Sequence, residues 1–239
     1  MTGRFRKTAF AAGVLYLITF VSIPNLGLYG PVLDPKYMLG TGSDTGVFFG
    51  VILDIVVALA GIGTAVVLFP VVKRQNEAIA LGFIASRVLE AAMIFAGVMF
   101  LLSLVTLRAS GIGSGGLVTA HALVALYDQT LLVGQSFMPV VNALLLGSLL
   151  FQSRLVPRAL PILGFIGAAL LVTSDIAKLF EVLGPASTAA VLVAIPIALW
   201  EFSLGVWLVV KGFNQSAQVF SDVPTAGARR PLTSAASAQ

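Results

Sequence analysis

The chain has 239 residues, of which 58% are hydrophobic and only 10% are charged. Its mean hydropathy is +1.02. A water-soluble domain of this size needs a charged shell, so the composition excludes an ordinary soluble protein and indicates one integral membrane domain. The formal net charge of +4 comes from basic residues scattered beside apolar runs, so we expect no nucleic-acid partner.

Cysteine is absent and His121 is the single histidine. These counts exclude disulfides, thiolate metal sites and haem or zinc sites that need several histidines. The sequence therefore predicts no cofactor and no bound metal.

Six apolar runs are long enough to cross a bilayer, which takes about 20 residues per helix. Basic turns and segments rich in proline and glycine separate them. The first run follows a basic N-terminus but is long and lacks a signal-peptide cleavage site, so we expect it to be retained. The sequence predicts an all-α six-helix transmembrane bundle over residues 1–213, with spans at 8–29, 46–72, 78–106, 117–151, 159–181 and 186–212.

The distribution of lysine and arginine predicts the orientation of the bundle. With the N-terminus in the cytoplasm, every loop obeys the positive-inside rule. We therefore expect both termini to be cytoplasmic, and residues 214–239 to form a disordered cytoplasmic tail because they are polar and lack an apolar period. The residues placed inside are Arg4, Arg6, Lys7, Lys73, Arg74, Arg154, Arg158, Lys211, Arg229 and Arg230, and those outside are Lys36, Arg108 and Lys178.

Several stretches carry a family resemblance: 6–20 (RKTAFAAGVLYLITF), 30–33 (GPVL), 60–91 (AGIGTAVVLFPVVKRQNEAIALGFIASRVLEA), 142–147 (NALLLG), 153–157 (SRLVP) and 200–213 (WEFSLGVWLVVKGF). Together they resemble the bacterial membrane family named domain of unknown function 4386. The similarity covers essentially everything but the tail. It implies a multi-pass protein of a bacterial inner membrane, and it implies no activity.

Charged residues inside the spans are the candidate functional residues, because a charge at the bilayer centre costs about 2.5–3.5 kcal/mol and normally faces protein or water. Depth counted along each span gives two layers. Arg87, Glu90 and Glu201 lie near the midplane, whereas Asp54 and Asp175 lie in the outer half. Glycine and alanine at helical spacing beside Asp54, Glu90 and Glu201 predict that these acids face packed helix seams.

Arg87 and Glu90 are three residues apart on one helix and are expected to pair. Glu201 then has no obvious partner, unless Arg87 is shared between both glutamates. The set is either an interhelical staple or a functional carboxylate site, and the sequence leaves both open. We expect Asp175 and Lys178 to form a snorkelling pair at the outer interface, and Asp54 to be the binding residue of the outer layer.

The fourth run carries a polar residue at every seventh position: His121, Asp128, Gln135 and Asn142. A heptad drifts only about 20° around a helix, so these residues form one stripe. Gly134 and Pro139 predict a kink or break in that helix. The stripe is either a proton or solute path, or a set of residues that bond neighbouring helices.

Three functions are open at this point. The leading hypothesis is small-solute or proton and ion handling through a carboxylate cavity, with Asp54, Arg87, Glu90, Asp128 and Glu201 as ligand- or ion-binding residues. The second is an accessory or assembly protein that packs against a membrane partner or a second copy of itself. The third, an intramembrane hydrolase or transferase, has the least support, because the best acid pair, Asp54 and Asp175, requires their helices to touch. The bilayer is the one partner that all three share.

Overall fold

The computed structural model describes residues 3–23, 25–34, 36–40, 42–184 and 187–220, and within these ranges the chain is helical with no β-strand. In chain order the α-helices are α1 (Gly3–Ile18), α2 (Asn25–Leu28), α3 (Gly30–Leu33), α4 (Thr45–Val72), α5 (Glu77–Ala109), α6 (Leu117–Thr130), α7 (Met138–Ser153), α8 (Ala159–Leu179) and α9 (Thr188–Val210).

Six helical stretches of the described chain are long and apolar enough to span a membrane. They are α1 with the 3₁₀ turn after it (Phe5–Ser22), α4, α5, the continuous stretch through α6 and α7 (Gly113–Ser153), α8 and α9. The predicted all-α bundle of six spans is confirmed. The first span is shorter than the predicted 8–29, because the chain leaves the long helix at Ser22 and forms the separate short helices α2 and α3.

The six spans pack as a closed ring. Helix α1 contacts α4 and α9, α4 contacts α5, α5 contacts α6 and α7, α7 contacts α8, and α8 contacts α9. Glycines allow the closest of these approaches. A Cβ atom on Gly167 of α8 would lie 2.6 Å from the backbone of Ile197, and one on Gly13 of α1 would lie 2.6 Å from the carbonyl of Gly205. Side chains at these crossings would force the helices apart.

The sequence predicts a kink or break at Gly134 and Pro139, but the fourth span continues through both residues. Residues Leu131–Phe137 form a π-helical turn that joins α6 directly to α7. Gly134 lies against the Cβ atom of Met93 on α5, so the π-helical turn packs tightly on the third span. An inserted π turn keeps the helix continuous while shifting its faces, and such turns occur frequently at functional sites.

The start of the first span and the end of the sixth lie at the same end of the bundle. The Arg6 guanidinium donates hydrogen bonds to the carbonyls of Val209 (2.9 Å) and Val210 (3.1 Å). The segment after α9 also packs there: the backbone N–H of Asn214 donates to the carbonyl of Leu155 (2.8 Å), and Val219 is buried. Residues 214–220 therefore pack against the bundle, and the rest of the tail predicted over 214–239 lies outside the described part.

Large apolar side chains are exposed along the outer faces of the spans. Phe49 and Leu59 on α4, Met99 on α5 and Val191 on α9 are each 58–60% exposed. A soluble protein rarely exposes so much apolar surface on consecutive helices. These faces contact the lipid bilayer.

Candidate functional site

Arg87 of α5 lies at the centre of the bundle and binds two glutamates. Its side chain is 3% exposed. One guanidinium nitrogen (Nη1) lies 2.9 Å from Oε2 of Glu90, one turn further along α5, and the other (Nη2) lies 2.9 Å from Oε1 of Glu201 on α9. A single cation is thus shared between the third and sixth spans.

Polar side chains from two further spans complete this cluster. Arg87 Nη2 donates a 3.3 Å hydrogen bond to the hydroxyl of Tyr16 on α1. On α7, the Asn142 amide donates to Glu90 Oε2 (2.8 Å) and accepts a bond from the Ser86 hydroxyl (2.7 Å). We call the six residues Tyr16, Ser86, Arg87, Glu90, Asn142 and Glu201 the central network.

The central network has more negative than positive charge. Its two carboxylates face one guanidinium, and among the described residues Arg87 is the sole basic partner of both. Glu90 and Glu201 are 13% and 17% exposed, whereas Arg87 is almost fully enclosed. An uncompensated charge in a low-dielectric interior is costly, so one carboxylate needs a proton or another cation.

The two glutamates and Arg87 line a cavity of about 140 Å³, which we call the central cavity. Thr19 and Ser22 from the end of the first span and Gln135 from the π-helical turn also line it. A water molecule occupies roughly 30 Å³ in the liquid, so the cavity has room for several waters or a small ion with part of its hydration shell.

Asp54 of α4 lies outside the central network and lines a second cavity. Its carboxylate accepts hydrogen bonds from the Asn25 amide (2.6 Å) and the Tyr29 hydroxyl (2.7 Å). The surrounding space, which we call the Asp54 cavity, measures about 320 Å³. Ser22 and Gln135 line it as well, so the Asp54 cavity and the central cavity share a wall.

Asp128 and His121 of α6 line a third cavity of about 210 Å³ with Asp34 and Tyr37. Both side chains are exposed. Leu33 lines this outer cavity and the Asp54 cavity alike. The four carboxylates Asp54, Glu90, Asp128 and Glu201 therefore do not share one cavity, but are distributed over three adjacent ones.

The polar stripe of the fourth span follows these cavities. His121 and Asp128 line the outer cavity, Gln135 lines both the Asp54 cavity and the central cavity, and Asn142 bonds Glu90. Every member of the stripe therefore borders a cavity or belongs to the central network. The π-helical turn carries Gln135 at the point where two cavities meet.

The expected pair of Asp175 and Lys178 is present, with the aspartate buried and the lysine partly buried. Asp175 is 5% exposed and accepts a 2.5 Å hydrogen bond from the Ser136 hydroxyl of the π-helical turn. Lys178 lies 3.1 Å from the same carboxylate and its side chain is 12% exposed. The predicted pairing is therefore observed, and the fourth span covers its acidic member. Asp54 and Asp175 have separate partners, so the structure provides no support for a catalytic dyad.

The sequence profile of one protein family matches residues 11–212. The chain belongs to the family described as Domain of unknown function (DUF4386). No curated protein and no solved structure matches the chain. The match covers most of the first span of this DUF4386 protein, the other five spans and every residue of its central network.

Sequence reasoning missed several residues of these sites. Tyr16 and Tyr29 were not among the candidate residues, yet Tyr16 bonds Arg87 and Tyr29 bonds Asp54. Asn25 was not singled out, although a lone amide just after an apolar run is a usable signal. Within the described residues, no group of three or more His, Cys, Asp or Glu side chains forms a metal site.

Proposed function

We propose that this DUF4386 protein handles protons or small cations, alone or together with a small solute, through its central cavity. The observation that supports this most strongly is the excess carboxylate: Glu90 and Glu201 share Arg87 beside a cavity of about 140 Å³. Ionisable residues within a membrane generally belong to ion pathways or proton relays.

The chemistry follows from the shared guanidinium. When Glu201 binds a proton or a cation, Arg87 is fully available to Glu90, and when Glu201 releases it, Arg87 binds both carboxylates. The hydrogen bond between Arg87 and Tyr16 holds the guanidinium in place, and the hydrogen bond from Asn142 holds the Glu90 carboxylate. The net charge of the central network therefore changes by one unit with each binding and release.

We also propose the setting of this activity. The end of the bundle that carries Arg6, Arg74 and Arg154 faces the cytoplasm of a bacterium, following the positive-inside rule. Six spans are few for a secondary transporter. Two copies of the chain, side by side in the inner membrane, supply the remaining helices.

Flux through reconstituted protein tests the proposal. Vesicles that contain the full chain and an internal pH-sensitive dye are exposed to an outward or inward gradient of protons, sodium or potassium. We expect flux well above that of protein-free vesicles, and a loss of about tenfold or more in Glu201→Gln. Glu77→Gln, at the exposed start of α5, is the matched control and keeps full flux. Protein whose flux equals that of empty vesicles overturns the proposal.

The ion pair between Arg87 and Glu201 also supports the second hypothesis, that of an accessory protein. Arg87 joins α5 to α9, which is what a structural staple requires. A staple predicts that Glu201→Gln lowers thermal stability with no flux to lose, and that the protein purifies with a fixed membrane partner. A monodisperse protein without such a partner in mild detergent contradicts this alternative.

A further inference from the structure

We propose that the Asp54 cavity binds a small organic cation, such as a protonated amine. This names a substrate class for the proposed function, and it rests on that function only for the transport step. Binding itself depends on the Asp54 cavity alone and is measurable without any flux.

Asp54 lacks a basic partner among the described residues. Glu90, Glu201, Asp44 and Asp175 each pair with an arginine or lysine, whereas both donors to Asp54 are neutral. The two hydrogen bonds orient the carboxylate but leave its charge uncompensated. A cationic group in the adjoining cavity supplies that charge.

The walls of the Asp54 cavity favour an organic cation over a bare metal ion. The rings of Tyr29 and Tyr127 meet edge to face with their centroids 6.0 Å apart, and Ile23, Leu33 and Leu131 add apolar surface. Aromatic rings attract ammonium groups, and apolar side chains accommodate an alkyl chain. A volume of about 320 Å³ far exceeds that of an alkali ion and accommodates an amine with a short alkyl chain.

Two side-chain amides at this cavity have polar atoms without a hydrogen-bond partner among the described residues. Gln135 has an exposed side chain without a partner among the described residues. Asn25 is 7% exposed, and because its amide nitrogen donates to both Asp54 and the carbonyl of Gly50, its carbonyl oxygen is left without a bond. Unpaired polar groups beside a cavity indicate that a polar ligand completes the site.

The position of Gln135 connects this site to the proposed function. Gln135 and Ser22 separate the Asp54 cavity from the central cavity, where Glu90 and Glu201 carry the excess negative charge. A cation bound at Asp54 therefore lies one residue layer from the next pair of carboxylates.

Calorimetric titration of the purified full chain with ethylammonium chloride tests the inference. Ethanol serves as the uncharged analogue, and sodium and potassium chloride as inorganic cations. We expect ethylammonium to bind, ethanol not to bind, and Asp54→Asn to weaken binding about tenfold or more. Glu77→Gln is the control and leaves affinity unchanged. Equal affinity in Asp54→Asn, or binding of sodium or potassium without ethylammonium, overturns the inference.

A second variant keeps the test decisive if Asp54→Asn does not fold. Gln135→Ala changes an exposed side chain that makes no hydrogen bond within the described residues, so the fold is preserved. We expect it to weaken ethylammonium binding severalfold, and unchanged affinity contradicts the site. Proton flux without ethylammonium binding overturns this inference alone, whereas ethylammonium binding without any flux overturns the proposed function alone.

Discussion

Arg87 and Glu201 are 114 positions apart in the chain, yet their side chains meet at 2.9 Å in the middle of the bundle. The same guanidinium also binds Glu90 at 2.9 Å. The ring of spans thus closes around one buried cation with two acids.

Removing the shared cation is expected to destabilise the bundle strongly. Arg87→Met leaves two carboxylates facing each other in a low-dielectric interior, and breaking a buried ion pair from one side costs about 3–5 kcal/mol. Arg87→Lys should cost less, because it keeps the charge but loses the planar fork that reaches both acids. Thermal unfolding in detergent measures both. Arg74→Met, at an exposed position, is the control, and an unfolding temperature of Arg87→Met equal to that of this control contradicts the prediction.

Water access to the cavities is testable because the native chain has no cysteine. We expect Gln135→Cys and Ser22→Cys to react with a membrane-impermeant thiol reagent from the end that carries α2 and α3, since both line water-sized cavities. Val133→Cys is the control: Val133 is 45% exposed but lines none of the three cavities, and a thiol in hydrocarbon does not form the reactive thiolate. Equal labelling of Val133→Cys and Gln135→Cys contradicts the expectation that water reaches Gln135 through the cavities.

The π-helical turn depends on a glycine. A Cβ atom at Gly134 would collide with the Cβ atom of Met93, so Gly134→Ala is expected to destabilise the bundle by about 1–3 kcal/mol. Gly82→Ala on α5 is the matched control, because its nearest neighbour would lie at an ordinary 3.7 Å. Chemical unfolding compares the two. A Gly134→Ala protein as stable as Gly82→Ala contradicts the described packing.

An ion pair anchors the loop between the first two spans. Arg108 bonds Asp44 (2.5 Å) and stacks on the ring of Tyr37, whose hydroxyl also donates to Asp44. We expect Arg108→Gln to speed hydrogen exchange in residues 36–44 and to cost about 1 kcal/mol or less, because the pair is near the surface. Lys36→Gln, at an exposed position, is the control and leaves exchange unchanged.

The same loop should be insensitive to pH across the physiological range. Burial, with the hydrogen bond to Asp44, raises the pKa of Tyr37 above its ordinary value. A raised tyrosine pKa means that the stabilisation is complete below about pH 10 and is lost only as the pH rises further. Hydrogen exchange of residues 36–44, corrected for its intrinsic pH dependence, should therefore be constant from neutral pH to about 9. A loss of protection near neutral pH contradicts this.

The sequence predicts the spans well, because hydropathy and basic turns depend on local composition. It also predicts the pairing of Arg87 with Glu90, which the spacing on one helix determines. The contacts of Tyr16 and Asn142 depend on how separate helices rotate against each other, which no local pattern encodes. Of the kink or break predicted at Gly134 and Pro139, the break does not occur, because a π-helical turn holds Gly134 and Pro139 lies in the first turn of α7, which continues it.

Depth counted along an apolar run also has a physical limit. It places Asp175 and Lys178 near the outer end of the fifth span, which favours an interfacial pair in an isolated helix. In the bundle, Ser136 from the neighbouring span bonds Asp175, which is buried, whereas Lys178 is partly buried. Neighbouring helices, rather than depth alone, determine which charges reach water.

The central claim is that Glu90 and Glu201 share the single guanidinium of Arg87, so that one of the two carboxyl groups is protonated when no other cation is bound. Infrared titration of the full chain, in buffer without small metal cations, tests this directly. We expect a band from a protonated carboxylic acid that disappears in both Glu90→Gln and Glu201→Gln, since either substitution leaves one carboxylate for one guanidinium, and that persists in Glu77→Gln. Spectra of Glu90→Gln and Glu201→Gln identical to that of the unmodified chain would contradict the account.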